Sequence, residues 1–325
     1  MSKPQHRSEG LSELPAPPVV TPELLRAWPL PQPSDDADKE GRGRVLVVAG
    51  SPELPGTAVL AATAALRAGA GKLRIATVAS IAPYVGIAVP EARVLALPET
   101  RGGAIDPRAV RQLAELANAS QATLIGPGLV GTETLRVLLC HLLPRLADTV
   151  LVLDSEAMMA IPGCLQELHG LRASAILTPH AGEMAGLLSM EKTDVRADPV
   201  GTARRAAEHF RAVVALKGSE TVIASPSGEC WRNRSGNVGL ATSGSGDTLS
   251  GIVAGLVARG AAPAQAAVWG VYLHGSAGDR LARQVGPLGF LARELLAEIP
   301  ALMAELSRPE RPAPASVRRR RRSAQ

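Results

Sequence analysis

Aromatic side chains make up only 2% of this 325-residue chain, and that scarcity excludes one class of function at the outset. A surface for single-stranded nucleic acid needs exposed rings on which bases can stack, beside basic residues. Packing falls instead to Ala, Val, Leu and Gly within the 46% hydrophobic content. Cysteine is sparse too. Cys140, Cys164 and Cys230 are far apart, odd in number and without a CxxC pair, so neither a zinc ribbon nor a disulfide framework is expected. No apolar run reaches the roughly 18 residues of a membrane span, and the opening MSKPQHRSEG has no apolar signal core. The expectation is a soluble protein of the reducing cytoplasm.

Net charge is nearly absent from the body of the chain. The formal excess of +5 is matched by five consecutive arginines, Arg318–Arg322, near the end. A block of like charges repels itself and stays solvated; contact with RNA or a membrane is the other reading of the tail. Pro, Ser and charged residues also dominate the first forty positions, with one short helix expected near Pro22 to Trp28. No linker-like break interrupts what lies between. The expected organisation is an extended leader over 1–42, one domain over 43–307 and a disordered basic tail over 308–325, since this length suits a single large core.

Inside that domain short apolar runs alternate with longer helical patterns. RVLVVAG (44–50), KLRIATV (72–78), ATLIGPG (122–128), TVLVLDSE (149–156), SAILTPH (174–180) and AVVALKG (212–218) read as strands. Their continuous rather than alternating hydrophobicity points to strands covered on both faces, and so to a parallel sheet with helical crossovers. ETVIASPSGECWRNRSG differs: two short segments flank the turn signal PSG, which predicts an antiparallel hairpin. Helical patterns occupy 57–70, 246–259, 263–284 and 288–306. The fold class is α/β, with three layers. Polar and glycine-bearing pieces fall at the strand ends, where open parallel sheets bind ligands.

The common phosphate loops are missing. AGAGKL at 68–73 lacks the first glycine and the hydroxyl residue of a Walker loop and leads into a strand, so it reads as a helix terminator. No GxGxxG follows the first strand. What is present is GNVGLATSGSGDTLSG at 236–251. Gly244 and Gly246 permit a tight turn, and the helix behind them aims unpaired N–H groups at it, an anion-binding arrangement. Asp247 is either an acid favoured by the helix dipole or a carboxylate that accepts a substrate proton beside an anion hole. The glycine density exceeds what a cap needs and favours the second.

Other pieces stay open on their own. His180 in TPHAGE is a structural hydrogen-bonder or, at a strand end, a ligand contact. Lys217, in the run Lys217, Gly218, Ser219, Glu220 and Thr221, meets a phosphate or ends an ordinary turn. Gly128 lies in the flexible GPGLVG. Asp154 ends a strand and holds metal-bound water or the next loop. His274 and Asp279, among small residues on one helix, read as close helix packing.

In this order TPHAGE, LKGSET, GNVGLATSGSGD and VYLHGSAGD resemble the NAD(P)H-hydrate dehydratases, carbohydrate-kinase-like proteins of ribokinase-type fold, over about 43–305. The resemblance implies a three-layer ribokinase-like domain with a mostly parallel sheet and helices on both faces. It implies a hydro-lyase that dehydrates (6S)-NAD(P)H hydrate (NADHX or NADPHX): ADP, or ATP, phosphorylates the ring hydroxyl and phosphate then leaves. Asp247 would be the base and Gly244, Ser245 and Gly246 the anion hole. Lys217 to Thr221 and Gly246 would contact the nucleotide, while Thr57, Ala58, Gly128, His180 and Asp247 would line the hydrated-cofactor pocket. Mg2+ would accompany the nucleotide, with no residue assigned to it, and the assembly would be a tetramer. Three departures from the family pattern stand out: Ser245 for threonine in GTGD, Val238 for proline in GNPG, and Thr57 for alanine after Gly56. Many relatives also carry an N-terminal epimerase domain, for which the leader is too short. Rival readings are a kinase of this fold acting on a thiazole or pyrimidine alcohol, and a non-catalytic nucleotide- or RNA-binding module.

Overall fold

The computed structural model describes residues 16–307 apart from 35, 37 and 173; the arginine run lies outside them. Among the described residues nine strands form one sheet in the order β3-β2-β1-β4-β5-β6-β7-β8-β9. They are β1 Arg44–Val48, β2 Lys72–Val78, β3 Arg93–Leu97, β4 Ala122–Ile125, β5 Val150–Leu153, β6 Ala175–Leu177, β7 Val213–Leu216, β8 Thr221–Ala224 and β9 Cys230–Asn233. β1 to β7 pair in parallel, and β7-β8-β9 is antiparallel. The expected strands and hairpin are all present. β3 is additional. It is an edge strand with a mostly half-exposed or exposed pattern, so it lacks the continuous apolar run that marks the buried strands.

Among the described residues thirteen α-helices surround the sheet: α1 Pro22–Ala27, α2 Pro55–Arg67, α3 Ala82–Ala88, α4 Val110–Asn118, α5 Thr132–Leu142, α6 Ser155–Ala160, α7 Leu165–His169, α8 Ala181–Leu188, α9 Lys192–Ala197, α10 Pro199–Phe210, α11 Ser245–Ala258, α12 Pro263–Gln284 and α13 Ala292–Ser307. One layer groups α2, α11, α12 and α13; the other runs from α4 through α10. Val45, Leu46, Val47 and Val48 are fully buried, because both faces of β1 are covered. AGAGKL ends α2 as expected, with Gly69 at φ 108.

α11 is buried on nearly every side from Thr248 to Ala258, and two glycines one turn apart make that possible. A Cβ on Gly251 would collide with the Ala61 carbonyl, and one on Gly255 with the Ala65 carbonyl. The alanine stripe of α2 therefore lies against the backbone of α11, which fixes where the start of α11 sits over the strand ends.

Two expectations need correction. Residues 18–28, read as part of an extended leader, form a strap on the sheet. The Val20 N–H donates to the Arg232 carbonyl at 2.8 Å and the Arg232 N–H to Pro18 at 2.9 Å, and Trp28 stacks on Trp231 with ring centroids 5.6 Å apart. The strap covers the free edge of β9, which would otherwise offer unpaired backbone groups. The short helix expected within it is α1. Cys140 and Cys164, expected to be unpaired, form a disulfide with Cα atoms 5.2 Å apart, within the usual span. Sequence spacing concealed the pair because packing of α5 on the 161–164 turn brings them together. Cys230 is free and buried.

Candidate active site

The ends of β5, β6 and β7 meet the start of α11 around a cavity of about 810 Å³. Asp154 follows β5, His180 stands three residues past β6, and Lys217 follows β7. The Lys217 N–H donates to the Pro179 carbonyl at 2.7 Å, so the TPHAGE and KGSET loops are tied by a strand-like bridge between His180 and Lys217. Lys217 Nζ then stands 3.6 Å from Asp154 Oδ1 and 3.8 Å from Glu183 Oε2. Thr178 Oγ1 donates to Asp154 Oδ1 at 2.9 Å, while Asp154 Oδ2 is buried without a partner.

Gly244, whose φ of 85° is left-handed, is the N-cap of α11, and no side chain caps the helix. The Ser245 N–H reaches the Thr242 carbonyl at 3.3 Å, whereas the N–H groups of Gly246 and Asp247 have no backbone acceptor among the described residues. These donors and the helix dipole suit an anion. A side chain on Gly246 would approach Lys217 Nζ to 3.5 Å, so the bare turn leaves the ammonium beside the open N–H groups. Asp247 occupies the third position of α11. Burial above all, then the negative charge of Asp154, push its carboxyl up to about 6, against the opposing pull of Lys217. A carboxylate so tuned is poised to take a proton near neutral pH.

His180 caps α8. Its Nδ1 accepts from the N–H groups of Gly182 and Glu183, both at 3.0 Å, and Glu183 accepts the His180 N–H at 2.7 Å. This capping box occupies Nδ1 as an acceptor, so the neutral ring carries its proton on Nε2. Gly244, Ser245, Gly246, Asp247, Lys217, Gly218, Ser219, Thr221 and His180 all line the cavity.

Four residues that the family resemblance assigned to the site stand outside that lining. Glu220 turns away to pair with Arg232 and Arg234 at 3.1 and 3.3 Å. Ala58 is buried on the inner side of α2. The Thr57 hydroxyl donates to the Leu54 carbonyl at 2.8 Å and fills the space over Gly128, whose φ is 64°. Thr57 and Gly128 thus join the loops after β1 and β4.

Residues 45–301 match the sequence family described as NAD(P)H-hydrate dehydratase. The chain belongs to this family. It is 46% identical over 294 residues to the ADP-dependent (S)-NAD(P)H-hydrate dehydratase of Xanthomonas campestris pv. campestris, across 89% of this chain and 97% of that one. The ADP/ATP-dependent NAD(P)H-hydrate dehydratase of Bacillus subtilis, co-crystallised with ATP and Mg2+, is similar in structure with a TM-score of 0.77 at 31% identity, over 90% and 100% of the two chains. A ribokinase-like superfamily protein of Enterococcus faecalis V583, TM-score 0.75 at 24% identity over 90% and 97%, shows the fold alone. The ribokinase-like fold and the NAD(P)H-hydrate dehydratase family are those the motifs implied.

The donor set in this NAD(P)H-hydrate dehydratase cavity fits Mg2+. That ion takes one or two carboxylates together with substrate phosphate oxygens and waters. The orphaned Asp154 Oδ2 and the Glu183 and Asp247 carboxylates share one cavity. Among the described residues no group of three or more His, Cys, Asp or Glu could hold a metal ion by itself, so nucleotide phosphate oxygens would have to complete the set. Sequence reasoning missed Asn233, Ser235 and Ser155 as lining residues. Asn233 and Ser235 end an edge hairpin, which carries no motif. Ser155 has a left-handed φ of 48°, and only the backbone shows it.

Proposed function

We propose that the protein restores NADH and NADPH from their (6S) hydrates, with ADP as phosphoryl donor and ATP as the alternative nucleotide. One observation carries the reading: the Asp247 carboxylate, raised to about 6, shares a helical turn with the open N–H groups beside Lys217. Base and anion hole are built into one turn. Family membership and the 46% identity support the same conclusion.

In the first step Asp247 accepts the proton of the ring hydroxyl as its oxygen attacks the β-phosphorus of ADP. A new O–P bond forms and the bond to AMP breaks. The Gly246 and Asp247 N–H groups and the Lys217 ammonium stabilise the charge on the transferring group. Phosphate is a far better leaving group than hydroxide. The ring-nitrogen lone pair therefore expels it, the adjacent carbon loses a proton, and the dihydronicotinamide is restored. Gly244 and Ser245 shape the turn. Lys217, Gly218, Ser219 and Thr221 hold the nucleotide, Glu220 through its backbone alone because its carboxylate is engaged. His180, presenting Nε2–H, faces the hydrated cofactor in the cavity, while Thr57, Ala58 and Gly128 stand outside its lining and join the neighbouring start of α2 to the loop after β4. Mg2+, held by Asp154 with the nucleotide phosphates, would supply neutralising positive charge.

The catalytic unit is the domain over 43–307, with the 18–28 strap packed on it. Among the described residues no helix is long and apolar enough to cross a membrane. A nicotinamide dinucleotide and a nucleoside diphosphate as substrates point to the cytoplasm, and the family resemblance to a tetramer free of nucleic acid.

The test is recovery of reduced-cofactor absorbance from hydrated NADH with ADP or ATP. ADP-dependent recovery is expected, lowered about 10²–10⁴-fold by Asp247→Asn with fold and nucleotide binding intact. A variant near the wild-type rate removes Asp247 from this role. Accumulation of a stable phosphorylated alcohol in place of the reduced cofactor would favour a kinase.

A further inference from the structure

α12 faces the cavity with residues at helical spacing. Val271, His274 and Gly275 line it, and Gly278 and Asp279 continue the same face. The small residues let a loop lie on the helix. A Cβ on Gly275 would collide with Ser235, and one on Gly278 with Leu240. Asp279 then accepts from the Gly236 N–H at 2.9 Å and from Asn237 Nδ2 at 3.0 Å. One turn earlier, His274 Nε2 lies 3.0 Å from Ser245 Oγ, on the first residue of α11. Both rims of the cavity are therefore held by one rigid helix.

A buried histidine is often just a satisfied core residue. Two observations separate His274 from that case. Its partner is the first turn of a helix that has no side-chain cap, and its ring lines the cavity itself. Burial, opposed by a hydrogen bond with the Ser245 backbone and aided by the charge of Lys217, pushes its pKa down to about 4. The ring is thus neutral at working pH and puts no second positive charge behind the anion hole. Ser245 is itself buried, so its hydroxyl is turned into the protein and anchors the turn from behind.

We propose that His274 is a positioning residue for phosphoryl transfer: by holding the Ser245 hydroxyl it sets the direction in which the Gly246 and Asp247 N–H groups and the Asp247 carboxylate face the transferring group. The proposal rests on the dehydratase reading above. It is a fixed orientation, not a proton relay, since the ring's hydrogen bond goes to Ser245 Oγ.

The test compares wild type, His274→Ala, Ser245→Ala, their double variant and His274→Gln, whose amide nitrogen extends to about the Nε2 position. Misplacing a reacting group by about 1 Å costs up to ~10²-fold, so kcat should fall about 10–100-fold in each alanine variant. KM for the hydrated cofactor should stay within about twofold. The double variant should be no worse than the weaker single, because both remove one bond, and the glutamine variant should recover part of the rate. Losses that multiply in the double variant, a His274→Ala rate within about twofold of wild type, or a folded glutamine variant no better than alanine would each overturn the proposal. If His274→Ala does not fold, His274→Gln, Ser245→Ala and the double variant that combines those two form the cycle instead, and multiplied losses in that double variant overturn the proposal. Calorimetric ADP affinities are measured on the same set. A wild type that binds ADP without turnover overturns the dehydratase reading, and coupled affinities then still decide whether His274 sets the turn.

Discussion

Lys217 Nζ stands 3.6 Å from the buried Asp154 carboxylate and 3.8 Å from that of Glu183. One cation therefore sits between two acids, of which Asp154 opposes ionisation of Asp247. Its charge lowers the Asp247 pKa, while that of Asp154 raises it. The acid limb of kcat/KM, which reports the free enzyme, should lie at about pH 6 in the wild type. Lys217→Met should move it to higher pH, and Asp154→Asn to lower pH. Rate profiles of the three proteins check the signs, and a shift in the same direction for both would rule the arrangement out.

The same carboxylate costs stability. Its pKa rises from 3.8 unfolded to about 6 folded, so between those values the folded state binds more protons. Stability must then fall as pH increases from about 4 to about 6. Above that window the cost is about 1–3 kcal/mol. Asp247→Asn removes it and should melt about 2–6 °C above wild type at pH 7, with no gain at pH 4, while activity is lost. Thermal melts at the two pH values decide it; a variant that melts lower than wild type at pH 7 contradicts the tuning.

Asp279 clamps Gly236 and Asn237 from α12, and both of those residues line the cavity. Asp279→Ala should loosen that wall, raising KM for ADP about 10-fold with a smaller effect on KM for the hydrated cofactor. Steady-state kinetics in both substrates would show the difference. Equal effects on the two KM values would argue for general disorder instead.

Gly251 meets the backbone of α2 at the Ala61 carbonyl. Gly251→Val must push the helices apart, at a cost of about 1–3 kcal/mol, and carry Asp247 with the displaced start of α11. Lower thermal stability together with lower kcat is expected. A fully active, equally stable variant would mean that α11 is not held by this contact.

The parallel strands were legible because each is buried on both faces, and burial writes a continuous apolar run. The hairpin was legible from PSG, and α11 and α12 from their apolar spacing. β3 was not, since an edge strand needs no such run. Asp247, Lys217 and His180 were legible because each ends a strand or starts a helix in a run of small polar residues. Asn233 and Ser235 were not, because a hairpin end becomes a cavity wall only when α12 carries it there.

What the sequence determined by itself is local: which segments are strands, where the turns fall, and which turn joins a carboxylate to free N–H groups. The family pattern added their shared purpose. Tertiary structure alone decided the electrostatics and the joins. Asp247 is raised by burial and by Asp154, some ninety residues earlier in the chain. Cys140 meets Cys164, the early residues close the β9 edge, and His274 reaches Ser245. Each depends on distance through space, and a linear pattern records that only when the partners are near neighbours in the chain.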